Sequence, residues 1–297
     1  MQMGNEDLGK HYQKIGLLAE AAEAFGRMRH DVTTTKQIMS CGLHLISVSL
    51  QRHDWNLVLS NVGKVSGFQQ TEEDATTFQP FIKLASGLAL LGLGNYKDAA
   101  RNFMATDLQA PPEGLREIAS LNDVAVYGGL LALATMERSE LQKRVLENAV
   151  FKHALEHEPH IRKAISLFVN GRYSACLEML ESSRADYLLD IYLCKHVSAI
   201  FALIRSKCIT QYFKPFSCVT LANLEASFAR TGESLEDELV GMIKAGTLQA
   251  RIDSKDRVSM STGCTMDHLL ANTSHRFWWL FSLMRDWLCR RRLSKLP

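Results

Sequence analysis

Residues 220–260, TLANLEASFARTGESLEDELVGMIKAGTLQARIDSKDRVSM, read as helix, turn, helix and a two-stranded wing. Thr220 caps a short first helix that ends near Ala229, and Thr231-Gly232 breaks it. Ser234 with Asp237 three residues on is a capping-box pattern that opens a second helix. Leu235, Leu239, Met242 and Ile243 then fall at helical spacing and give that helix one apolar face. Gly246 suits the left-handed residue that closes a helix. Beyond it Leu248, Ala250 and Ile252 alternate with Gln249, Arg251 and Asp253, as a half-buried strand requires. Asp253-Ser254-Lys255-Asp256 turns the chain, and residues 257–260 return antiparallel. The pattern is that of a winged helix.

Charge decides what such a module can meet. The second helix carries Glu233, Glu236, Asp237 and Glu238 against the single Lys244. A helix entering a DNA groove must approach phosphates, and this face is repelled by them. DNA is therefore not the expected partner, and packing against protein is. The formal net charge of +2 over 297 residues likewise gives no field that selects nucleic acid or membrane.

Upstream, a helical repeat runs back to the start of the chain. Leu8, Gly9 and Tyr12, then Ala21 and Phe25, stand at the offsets of a tetratricopeptide (TPR) unit. Gly9 and Ala21 would let two antiparallel helices approach, with Leu8, Tyr12 and Phe25 filling around them. The second-helix signature begins at Leu18 and returns at Trp55-Val58-Val62, Tyr96-Ala99-Phe103, Arg138-Leu141-Val145 and Tyr173-Cys176-Leu180. Successive starts are 37, 41, 42 and 35 residues apart. Gly16, Gly94 and Gly171 precede it at the turn, and His53 holds that place in the second unit. One helix pair cannot bury its own apolar face, so five stacked pairs are the economical reading, with a non-repeating amphipathic bundle as the alternative.

The expected fold class is mainly α: a right-handed TPR-like solenoid over residues 5–184, a long connecting helix over 185–214, the winged helix over 215–260 and an atypical tail over 261–297. The apolar run around Val124–Ala134 is expected as a buried helix whose Gly128-Gly129 pair permits close contact. Apolar residues at Leu188, Ile191, Tyr192, Val197, Ile200, Phe201, Ile204 and Ile209 place the connecting segment as one long helix, or two collinear ones, ending before Pro215. Loops are expected at residues 67–74 and 110–117.

Catalytic motifs find no context. His153-Ala154-Leu155-Glu156-His157 formally matches a zinc-peptidase pattern, but Pro159 ends the helix two residues later. A pair of surface histidines is the expected state. No G-x-S-x-G elbow, Cys-x-x-Cys or phosphate-binding glycine loop occurs, so no cofactor, metal or active site is expected. The seven cysteines are odd in number and scattered, which disfavours a disulfide framework and points to a reducing compartment. Met1–Asp7 carries acid and no apolar run, so no signal peptide is expected there.

The order of repeats, long helix and terminal winged helix resembles the PCI family, found in the proteasome lid, the COP-9 signalosome and a translation initiation complex. NDVAVYGGLLALATMERSELQKRV (122–145), LLDIYLCKHV (188–197), ITQYFKPF (209–216) and LEDELVGMIKAGTLQARIDS (235–254) resemble the signalosome subunit 1 branch of it. A proteasome-lid branch shares the architecture, but Tyr127-Gly128-Gly129-Leu130 is similar to the signalosome version. The resemblance covers roughly residues 5–258. It implies a noncatalytic scaffold in a complex that removes a ubiquitin-like modifier from cullins, with the metalloprotease centre in another subunit. Its partners would be other PCI subunits, cullin-RING ligases being met only through the complex, in cytoplasm and nucleus. PCI subunits are expected to associate side by side through their winged helices, and an exposed wing offers an edge strand. Gln249, Arg251, Lys255 and Val258 are the interface candidates.

Two departures accompany this. Members of that branch have a longer N-terminal arm, whereas this chain starts almost at the first repeat. After Val258, residues 261–297 do not resemble the family's terminal helix. Phe277-Trp278-Trp279-Leu280-Phe281 before Arg290-Arg291-Arg292 suits a membrane-surface anchor, or sequence from a retained intron or shifted frame. The second is the expectation, and no membrane partner is assigned.

Overall fold

The computed structural model describes residues 2–30, 32, 34–67, 72–107, 118–216, 218–229, 234–253 and 258–261. Lys255 and residues 262–297 of the tail lie outside these, as do most of the two expected loops. The chain divides into two compact units, Met1–Cys208 and Ile209–Pro297.

In the first unit, α1 (Gln2–Lys14) pairs with α2 (Leu18–Met28), α3 (Thr35–Gln51) with α4 (Trp55–Ser66), and α5 (Glu72–Gly92) with α6 (Tyr96–Met104). Then follow α7 (Leu121–Thr135), a single-turn α8 (Arg138–Leu141), a π-helical turn (Gln142–Leu146) and α9 (Ala149–His157). Helix α10 (Pro159–Val169) pairs with α11 (Tyr173–Ser182), α12 (Arg184–Leu189) follows, and α13 (Val197–Phe213) belongs to this unit up to Cys208 and to the second from Ile209. Each of α1 to α6 packs chiefly on its neighbours in sequence, so burial is gained pair by pair.

The turns explain why the pairs start where they do. Gly16, His53, Gly94 and Gly171 all have positive φ, at 83°, 56°, 78° and 77°. Their N–H groups donate to Gln13, Leu50, Leu91 and Phe168, and the next residue's N–H donates five residues back, to Tyr12, Ser49, Leu90 and Leu167. This double bond pattern satisfies the last carbonyls of the first helix with a left-handed residue at its end. His53 is the one non-glycine with positive φ among the described residues. An L side chain there costs about 1 kcal/mol. His53→Gly should therefore melt several degrees above His53→Ala, which keeps the strain and loses the ring contacts to Trp55 and Tyr192. Equal midpoints in a thermal melt would refute the strain.

The core is made by large rings against bare backbone. A Cβ on Gly9 would stand 2.6 Å from the Phe25 ring, and one on Gly87 2.8 Å from Phe103. Leu8, expected inside, is 36% exposed, and the Phe25 ring fills the space beside Gly9. Helix α7 is buried at ten positions, as an all-round apolar helix must be. Gly128 faces Phe151 of α9 and Gly129 faces Ile161 of α10.

Lys207 of α13 reaches back to the end of α7. Its Nζ donates to the carbonyls of Leu133, at 2.6 Å, and Met136, and stands 5.0 Å above the Phe168 ring. Burial outweighs these contacts and pushes the amine down to about 8. The folded amine thus releases its proton before the unfolded one does, so this group adds stability as pH rises from about 8 towards about 10.5. Urea unfolding across that window should show the wild type gaining on Lys207→Met. A parallel course for the two would count against the burial.

Of the two readings of residues 185–214, the connecting segment is not one continuous helix. It is two helices, α12 and α13, separated by turns at residues 190–196. The Asp190 side chain causes the break: Oδ1 accepts from the N–H groups of Tyr192 (2.8 Å) and Leu193 (2.7 Å), and Oδ2 accepts from the Tyr127 hydroxyl at 2.7 Å. Leu188 and Ile191, expected on a buried face, are 46% and 73% exposed in consequence.

Candidate assembly surface

The second unit is described by itself. After Pro215, β1 (Cys218–Thr220) leads into α14 (Leu221–Phe228), then α15 (Leu235–Lys244), β2 (Ala250–Asp253) and β3 (Val258–Ser261). The Thr220 hydroxyl accepts from Asn223 N–H and the Ser234 hydroxyl from Asp237 N–H, so both helices start where their caps predict. Gly246 has φ 73°, and the Thr247 N–H bonds the Met242 carbonyl at 3.0 Å, closing α15. Leu221, Leu224, Phe228, Leu235, Leu239, Met242, Leu248 and Ala250 are buried in this unit. The Tyr212 and Phe228 rings meet edge to face at 5.4 Å. Each such pair adds about 1 kcal/mol beyond its area.

The sheet has three strands in the order β1-β3-β2, both pairings antiparallel. The expected wing had two. Strand β1, three residues long, gives too few positions for alternation to show. Its presence makes β3 the central strand: Val258 lies opposite Thr220 on one side and Asp253 on the other. Val258 is thus flanked on both sides and offers no edge. Arg251 lies on β2 opposite Met260 and is exposed, and Gln249, just ahead of the strand, is exposed too. Among the described residues no strand pairs with the outer side of β2. Ala250 is buried while Arg251 is exposed, so this edge carries polar side chains outward over an apolar underside. Of the four candidates, then, Gln249 and Arg251 lie at the edge, Val258 does not, and Lys255 is not described.

Helix α15 opens with Glu236, Asp237 and Glu238 in its first turn, where the helix dipole favours anions. In the first unit, the rings of His153 and His157 stack at 5.4 Å on α9, one turn apart. Among the described residues no three His, Cys, Asp or Glu side chains gather as a metal site would need. Nor, among them, is any helix long and apolar enough to cross a membrane.

Residues 173–260, which hold α11 to α15 and the sheet, match the family model of the PCI domain. A PCI domain is therefore present in this part of the chain. Residues 1–144 match a second model, the 26S proteasome subunit RPN7. Among curated proteins, the chain is 49% identical over 254 residues to COP9 signalosome complex subunit 1 of Neurospora crassa, covering 86% of this chain and 60% of that one. It is 44% identical to the protein of that name from Emericella nidulans (88% and 55% covered) and 37% identical to that of Arabidopsis thaliana (87% and 58%). The chain therefore spans little more than half the length of the relatives it matches.

Proposed function

We propose that this chain is a noncatalytic scaffold subunit of a COP9 signalosome. It would act in removing a ubiquitin-like modifier from cullins by holding the complex together, in cytoplasm and nucleus. Its direct partners would be other PCI subunits, with cullin-RING ligases reached through the complex. The observation that carries the reading is the winged-helix unit: a strand whose polar outer side pairs with no other described strand, on a chain whose relatives bear the signalosome name. A sheet edge pairs with another edge through backbone groups, which supplies affinity without any cofactor. A tagged chain isolated from cells should bring down other PCI subunits of the signalosome. Their complete absence at endogenous expression would end the proposal.

The match of residues 1–144 to a proteasome-lid model supports a second reading, a lid subunit, and the identity of the captured partners separates the two.

The edge itself can be tested by proline. Successive N–H groups of an antiparallel strand point to opposite sides, so of Arg251→Pro and Ile252→Pro one removes a donor facing β3 and the other a donor facing outward. The inward one should unfold the unit. The outward one should keep its melting midpoint and lose most captured partner. Full capture by the folded variant would show that β2 is not the contact.

A further inference from the structure

In a stacked array each helix pair meets only its neighbours, yet residues 190–196 touch three elements far apart in sequence. The Tyr192 ring lies 6.4 Å from Trp55, 6.1 Å from His53 and 6.4 Å from Tyr127. His196 Nδ1 is 3.1 Å from the Tyr96 hydroxyl, with the two rings edge to face. Asp190 takes the Tyr127 hydroxyl and the two backbone N–H groups of its own turn. Leu193, between these anchors, is fully buried. Trp55 and Tyr96 are the first residues of α4 and α6, and His53 is the left-handed residue ahead of α4. The turn thus grips the same place in two successive pairs, and the middle of α7 as well.

We propose that residues 190–196 are a strap that locks the helix starts of α4 and α6 and the body of α7 into one cooperative unit, with Asp190 as its fastening. Without it, a pair would open against its neighbour alone. With it, α4 and α6 open only when the strap leaves both. Trp55, Tyr96, Tyr127 and Tyr192 are positioning residues in this device. Burial and the Asp190 carboxylate both hold the Tyr127 phenol protonated, so its hydroxyl stays a donor across the physiological range.

The test is hydrogen exchange, read by mass spectrometry, on the full chain carrying Tyr127→Phe, Asp190→Asn or Tyr192→Ala. Losing a hydrogen bond to a charged group should speed exchange roughly tenfold. The expected result is faster exchange at residues 53–60 and 94–101, more than a hundred and about ninety residues from the strap, as well as at 187–197. Combining Tyr127→Phe with Asp190→Asn should add little to either alone. Faster exchange confined to 187–197, with 53–60 and 94–101 as in the wild type, would overturn the strap. Should Tyr192→Ala fail to fold, Tyr127→Phe removes a single oxygen and decides by itself.

Discussion

Phe103→Ala should lower the unfolding free energy of the helical unit by about 3–5 kcal/mol. That corresponds to a fall of roughly 10 °C in melting midpoint. Phe103 is fully buried, and its ring meets Tyr127 edge to face at 5.6 Å. The cost belongs at the upper end because of what lies around the ring. Gly87 of α5 faces it on one side, and Gly128 of α7 lies against its Cβ on the other. Neither has a side chain to swing into the space, so the cavity stays open unless whole helices shift. Urea unfolding followed by circular dichroism measures this directly. A loss below about 1 kcal/mol would mean that α5 and α7 collapse onto each other, and the ring would then be filler and not spacer.

The second large effect comes from adding atoms. Gly128→Ala and Gly129→Ala each gain helix propensity, up to about 1 kcal/mol. Each should nonetheless destabilise, by about 1–3 kcal/mol of overpacking. A Cβ at Gly128 would stand 2.7 Å from the Phe151 ring, and one at Gly129 would overlap Ile161 Cγ2. Phe151 and Ile161 are both 1% exposed and cannot give way outward. They belong to different helices, α9 and α10, so the two costs should add in the double variant. Ile161→Leu has no Cγ2 and should recover part of the Gly129→Ala loss while leaving Gly128→Ala unchanged. Rescue of both, or of neither, would show that the strain is not local to that methyl.

Much of the array was legible because its rules are local. The left-handed turn residue needs glycine, and Gly16, Gly94 and Gly171 announce it. His53 carries no such signal by itself and was found through its place in the repeat. The starts at Leu18, Trp55, Tyr96, Arg138 and Tyr173 coincide with the first residues of α2, α4, α6, α8 and α11. The winged helix was readable for the same reason, its caps at Thr220 and Ser234 and its turn at Gly246 being decided within a few residues. The candidate interface was readable only in part. Alternation in residues 248–253 shows which side chains face out, but an edge is a property of strand order, and β1 took Val258 out of it.

By itself, then, the sequence determined the helix starts, the pairing of α1 with α2, α3 with α4, α5 with α6 and α10 with α11, and the polar outward face of β2, through periodicity, capping and backbone preference acting over a few residues each. The fourth expected pair is absent, since α8 is a single turn and α7 packs on α6 and α9. Only the tertiary structure decided the break at Asp190. Apolar spacing from Leu188 to Ile209 continues across it, but a carboxylate that accepts a hydrogen bond from the Tyr127 hydroxyl, 63 positions away, outweighs the roughly two turns of helix it interrupts. Tertiary structure also decided why Trp55 and Tyr96 are aromatic. Both are half-buried and turned toward a strap about a hundred residues or more downstream, and no local pattern reports a partner at that distance.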